Sequence, residues 1–192
     1  MKRNSVIAGL FLTLLLALVP CAQGQTTFFI FSPTDMADFP GGTENAVYKP
    51  KKAAEVISFE LGYENTVNIG SISGGGGAGR AEFGPLGINF IGEPGLVPKL
   101  FEKLVTGEHY GELVIEEVAN GEVVGRTSMK LCMISNLRMT GVQGDRAVYT
   151  AEIQYGAVKI ETFKLKPDGS TEAAGEFSWS RVLNNNTYSV VP

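Results

Sequence analysis

Apolar and polar residues alternate one for one along several separate stretches of this chain, and that rhythm restricts its fold more than any other feature. Successive side chains of a strand point to opposite faces, so a period of two marks a strand with one covered and one open face. Ile57, Phe59, Leu61 and Tyr63 fall on one face, with Ser58 and Glu60 on the other. Met129, Leu131, Met133, Leu137 and Met139 form a second row, set against Lys130, Asn136 and Arg138. Ala147, Tyr149, Ala151, Ile153 and Tyr155 form a third, against Arg146, Glu152 and Gln154, and Phe177 and Trp179 alternate with Glu176, Ser178 and Ser180. Half-polar strands of this kind belong to antiparallel sheets or barrels with one face inward.

The punctuation agrees with strands. Asn120-Gly121 lies between apolar runs and predicts a two-residue hairpin, and Pro167-Asp168-Gly169 is a turn with its own chemistry. Thr26 to Phe31 reads as a first strand. One segment departs from the period of two. Pro98 followed by Leu100, Phe101, Leu104 and Val105, ending at Gly107, predicts a short amphipathic helix over about residues 97–106, laid against the sheet. Residues 33–53 hold Pro33, Pro40, Gly41, Gly42 and Pro50 without apolar periodicity and predict a long loop or arm.

A chain of 192 residues supports one sizeable core. Its first residues read as a leader: Lys2 and Arg3, then an apolar run of 14 residues from Val6 to Val19, then Ala22-Gln23-Gly24. That is the three-part build of a secretory signal, and the run is short of the roughly 20 residues that span a bilayer. Residues 1–24 are expected to be cleaved and residues 25–192 to form a single domain, exported by the general secretory route to the periplasm or medium, with no membrane association after cleavage. Without Lys2 and Arg3, 14 basic residues face 20 acidic ones, a net charge of about −6. An acidic chain offers no electrostatic footprint for nucleic acid. Cys132 then has no intramolecular disulfide partner, and a lone thiol between apolar neighbours is expected to be buried and inert.

Candidate chemistry is sparse. Ser73-Gly74-Gly75-Gly76-Gly77-Ala78-Gly79-Arg80 contains G-x-G-x-x-G at Gly74, Gly76 and Gly79. A dinucleotide site needs a helix after that loop, whereas Ala81 to Phe90 reads as strand, and a P-loop needs Lys then Ser or Thr where Arg80 and Ala81 stand. The segment is read as a flexible loop between strands. His109 is the only histidine and has no Ser-His-Asp, metal-ligand or spaced-Cys companions. Glu116 and Glu117 point to opposite faces of one strand, so they are read as edge or rim charges rather than an acid/base pair. Trp179 is read as core or subunit contact, and Asn185-Asn186-Thr187 is a weak sequon match. No catalytic, cofactor-binding or metal-ligating residue is assigned, and no enzymatic activity is expected.

Taken in order, these pieces resemble a known family. EVISFELGYEN, the loop SGGGGAGR, a strand, PKLFEKLVTGEHY with its Gly107-Glu108-His109-Tyr110 close, AVKIETFKLKPDGS and FSWSRVLNN are similar in order and spacing to the Hcp proteins of type VI secretion, over about residues 27–187. The resemblance implies a small antiparallel β-barrel of two sheets with one flanking helix. It also implies a structural, self-assembling role: hexameric rings that stack into a tube and carry protein cargo in the lumen. The loop Ser73, Gly74, Gly75, Gly76, Gly77, Ala78, Gly79 and Arg80, with the arm before it, is then expected where subunits or rings meet. The alternative is an exported monomeric β-barrel that binds a protein or small ligand. A secreted hydrolase has no supporting constellation.

Overall fold

The computed structural model describes residues 26–65 and 81–191. The expected leader and the loop Ser73–Arg80 lie outside the described residues. Along the chain come β1 (Thr26–Phe31), β2 (Ala54–Val56), β3 (Ser58–Asn65), β4 (Ala81–Ile91), helix α1 (Leu96–Thr106), β5 (His109–Ala119), β6 (Glu122–Thr140), β7 (Val148–Gln154), β8 (Ala157–Leu165) and β9 (Thr171–Ser180). The fold is mainly β with one α-helix, and the named strands pair antiparallel in lateral order β2-β1-β5-β6-β7-β4-β3, with β8 on β6 and β9 on β8.

Two devices turn this sheet into a barrel. β2 and β3 are one strand bent at Ile57: β2 pairs with β1, β3 with β4, and the Ile57 amide donates to the Asn89 carbonyl at 2.7 Å, closing the circle. The second is β6, 19 residues long. Its first half pairs with β8 at Gly125 to Lys130, its second half with β7 from Met133 to Thr140, and β5 runs along the opposite edge. The two expected sheets are thus two flanks that share β6. The tight turns follow their sequence: Asn120 and Gly121 adopt φ of 55° and 84°, as a two-residue hairpin with positive φ at both positions requires.

The core fills the barrel. Ile30, Leu86, Ile88, Leu113, Met129, Cys132, Ala151 and Ile153 point inward, and Leu96 and Leu100 of α1 join them from outside the sheet. Each such leucine, isoleucine or methionine contributes about 1.5–3 kcal/mol relative to exposure. The helix ends where Gly107, at φ 70°, returns its amide to the Lys103 carbonyl. Its Phe101 and Val105, expected on the docking stripe, face outward.

The row from Ala147 to Tyr155 is the best-kept of the expected rows, with Ala151, Ile153 and Tyr155 buried. The row from Met129 to Met139 does not share one face. Met129, Cys132 and Ile134 are buried while Met133 and Met139 are exposed. Leu131 sits at φ 54°, in the left-handed region, at the point where β6 leaves β8 for β7, and this kink reverses the strand's phase. In β2–β3 the bend buries Val56 and turns Ile57 out.

Residues 33–53 form a strap across the outer face of β1 and β5. Tyr48 and Ala53 are buried, and with Phe29, Phe31, Val114 and Val118 they make a second apolar cluster outside the barrel, while Phe39 is buried in the core, edge-on to Tyr110. Gly41 is required here, because a Cβ would run into the Ala53 backbone.

Candidate functional site

The outer cluster is built around a charge. Glu116 of β5 stands opposite Phe29 on one side and Arg126 on the other, and it is only 2% exposed because Tyr48 covers it. Its Oε2 accepts from the Tyr48 hydroxyl at 2.7 Å and from Lys51 Nζ at 3.1 Å, and its Oε1 accepts from Arg126 Nε at 2.7 Å. The Tyr48 ring stacks on Phe29 with centroids 3.9 Å apart, and Lys51 Nζ lies 4.5 Å from the Tyr48 centroid. Burial works against the Glu116 charge, but the hydrogen bonds from Tyr48, Arg126 and Lys51 outweigh it and hold the carboxyl below its usual range. Burial foremost, and then the bond to Glu116, push the Tyr48 phenol up. A carboxylate saturated by donors and held ionised is a fastener, not a general acid or base. The same row continues outward through Arg126, Glu161 and Glu176, with Lys159 bridging the two glutamates at 3.1 and 3.4 Å.

A second set of contacts fixes the start of the segment and the helix. Asp35 Oδ2 accepts from the Gly111 amide at 2.7 Å and Thr34 Oγ1 from the Glu112 amide at 3.1 Å, which caps the edge of β5 below β1. Lys103 of α1 reaches Glu108 at 2.8 Å and Asp38 at 3.4 Å.

The expected chemistry-bearing residues are scattered. β3 and β4 pair out to Asn65 and Ala81, and a strand follows the glycine segment as expected. No helix N-terminus follows the loop to meet a phosphate. His109 is exposed at the start of β5, paired with Met133. Cys132 is buried, and burial pushes its thiol up to about 12. Trp179 packs against the core and stacks with Phe83 at 6.4 Å. In the sequon match, the Thr187 hydroxyl donates to Asn185 Oδ1 at 2.6 Å. Glu116, read as an edge or rim charge, is instead the most enclosed carboxylate among the described residues, because residues 33–53 cover the face it occupies. Sequence reasoning missed Tyr48, Lys51 and Arg126 altogether, and no periodicity marks them. Among the described residues no three His, Cys, Asp or Glu side chains are grouped to hold a metal ion, and no helix is long and apolar enough to cross a membrane.

The sequence of residues 35–162 matches the family described as "Type VI secretion system effector, Hcp". The chain belongs to the Hcp family. Among solved structures, one titled "Structure of a type six secretion system protein" superposes with a TM-score of 0.75 at 20% identity, covering 85% of this chain and all of its own. Hcp1 from Salmonella typhimurium gives 0.65 at 16% identity, covering 84% of this chain and 99% of its own, and Hcp2 from the same organism gives 0.58 at 15%, covering 83% and 99%. These likenesses are at the level of fold. No curated protein matches the sequence. The family, with the strand order described here, supports the structural tube component over the binding module.

Proposed function

We propose that residues 25–192 form the mature protein, exported after cleavage of residues 1–24, and that it assembles into hexameric rings able to stack as a tube that holds protein cargo. The observation that carries this reading is the family match across residues 35–162, which spans the strap, the glycine loop, the helix and most of the barrel. The role is structural, without catalysis. The chemistry around Glu116 supports this, since its donors leave no lone pair aimed at a substrate. The loop Ser73–Arg80, between β3 and β4 in sequence, is a contact between rings or neighbours. A closed ring also protects strand edges such as that of β9, which among the described residues pairs with β8 on one side and on the other makes only the Ser180–Asn185 bridge.

The test is assembly of residues 25–192 followed by size-exclusion chromatography with light scattering and negative-stain imaging. Rings are expected, and Gly75→Pro with Gly76→Pro is expected to weaken ring formation or stacking while circular dichroism stays that of a folded β-protein. A strictly monomeric, folded particle at high concentration overturns the tube reading and favours the binding module.

A further inference from the structure

Among the described residues, one buried side-chain polar atom has no hydrogen-bond partner: the hydroxyl of Tyr155, a residue only 4% exposed. A hydroxyl taken out of water and left unpaired is costly, so it marks a place where something else is expected to bond. Tyr63 is its neighbour, yet no hydrogen bond joins the two phenols. Burial pushes the Tyr155 phenol up, so it stays protonated and able to donate. Arg181 does not satisfy it either. The guanidinium lies over the Tyr155 ring, 5.0 Å from its centroid, and donates at 3.0 Å to the Tyr155 carbonyl.

Tyr155 lines a cavity of about 650 Å³ at one mouth of the barrel, between the start of β4, the kink of β6 and the ends of β7 and β9. Barrel mouths are common places for small-molecule sites, whose volumes run from about 300 to 1,000 Å³. A single water, with a share of about 30 Å³ and a need for two to four polar partners, does not account for such a space. The walls are largely apolar: Phe83 and Trp179 lie nearly parallel, 13° apart, beside Leu131, Met133 and Val182. One charge of each sign lines it, Glu82 and Arg181, so neither an anion nor a cation is favoured. We propose that the cavity binds a small uncharged aromatic molecule of the phenol class, its ring against Phe83 and Trp179 and its hydroxyl on that of Tyr155. A phenol ring packs on aromatic walls offset or edge-on. Its hydroxyl both donates and accepts, so it pairs with Tyr155 whichever way that hydroxyl turns. The site lies within one chain and does not rest on the ring reading.

Trp179 is the only tryptophan of the chain, so its emission reports on this cavity alone. Residues 25–192 are titrated with phenol and, separately, with benzene, which has the ring without the hydroxyl. Phenol is expected to give a saturable change with a Kd on the order of 1 mM. It should bind about three- to tenfold more tightly than benzene, the worth of one neutral hydrogen bond. Tyr155→Phe removes the hydroxyl alone and should bind the two molecules alike. Having lost an unpaired group, that variant should also unfold in urea no earlier than wild type when no ligand is present. No saturable change with phenol overturns the site, as does a wild type that binds phenol and benzene alike, or a preference for phenol that survives in Tyr155→Phe. An unliganded Tyr155→Phe clearly less stable than wild type gives the hydroxyl a partner within the protein and overturns the proposal too. Light scattering on the same samples reads assembly separately, so a monomer that binds phenol refutes the ring and keeps this site.

Discussion

Removing the charge of Glu116 while keeping its shape, in Glu116→Gln, should loosen the strap over β1 and β5. The glutamine oxygen still accepts from Arg126, but its amide group meets the Lys51 ammonium, which only donates, and Tyr48 must reverse its hydroxyl. Hydrogen bonds to a charged group contribute about 1.5–3 kcal/mol each. The side chains of Lys51 and Arg126 are 37% and 34% exposed, so both rehydrate once released and screening discounts their share. The expected loss is therefore about 2–3 kcal/mol, at the low end for breaking a buried pair. For a domain of this size that corresponds to roughly 5–10 °C in Tm. The effect also depends on pH. A carboxyl held below its unfolded value contributes stability that is fully present above that value, about 4.3, and is lost as pH falls through the folded one. The mutant should lack that part of the acid limb. Urea unfolding at fixed protein concentration, with amide exchange over residues 41–53, reads both effects. A variant within 0.5 kcal/mol of wild type with unchanged exchange in that segment refutes the fastening role.

Three further outcomes follow from the same geometry. Cys132 should react slowly with a thiol reagent under native conditions, because it is buried and its thiol is pushed up to about 12, and rapid complete labelling contradicts this. Gly41→Ala should destabilise, since its Cβ meets the Ala53 backbone, whereas Gly62→Ala, with nothing within 4 Å, should be neutral or stabilise by up to about 1 kcal/mol in the same unfolding assay. The mature chain isolated from its host should begin at Gln25 by intact mass, and a species retaining residues 1–24 contradicts the leader.

The strands and helix were legible because each has a solvent face and a core face whose period is local. The row from Ala147 to Tyr155 and the Pro98–Gly107 helix needed nothing else. Leu131 was not legible: its positive φ arises where β6 changes partner, a tertiary event that leaves its neighbours looking like ordinary alternation. Ile57 was misplaced for a related reason, since the bend that closes the barrel turns it out in favour of Val56. Glu116 escaped because a strand with both faces covered loses its alternation, and its cover, residues 33–53, has no period to read. Phe101 and Val105 were assigned to the docking stripe because a helix with two apolar faces looks, in sequence, like one broad face.

Native mass of residues 25–192 tests the central claim most directly, because it counts subunits without reference to any variant. The account predicts a closed assembly of six chains. A monomer, or a two-fold dimer that does not grow with concentration, contradicts it.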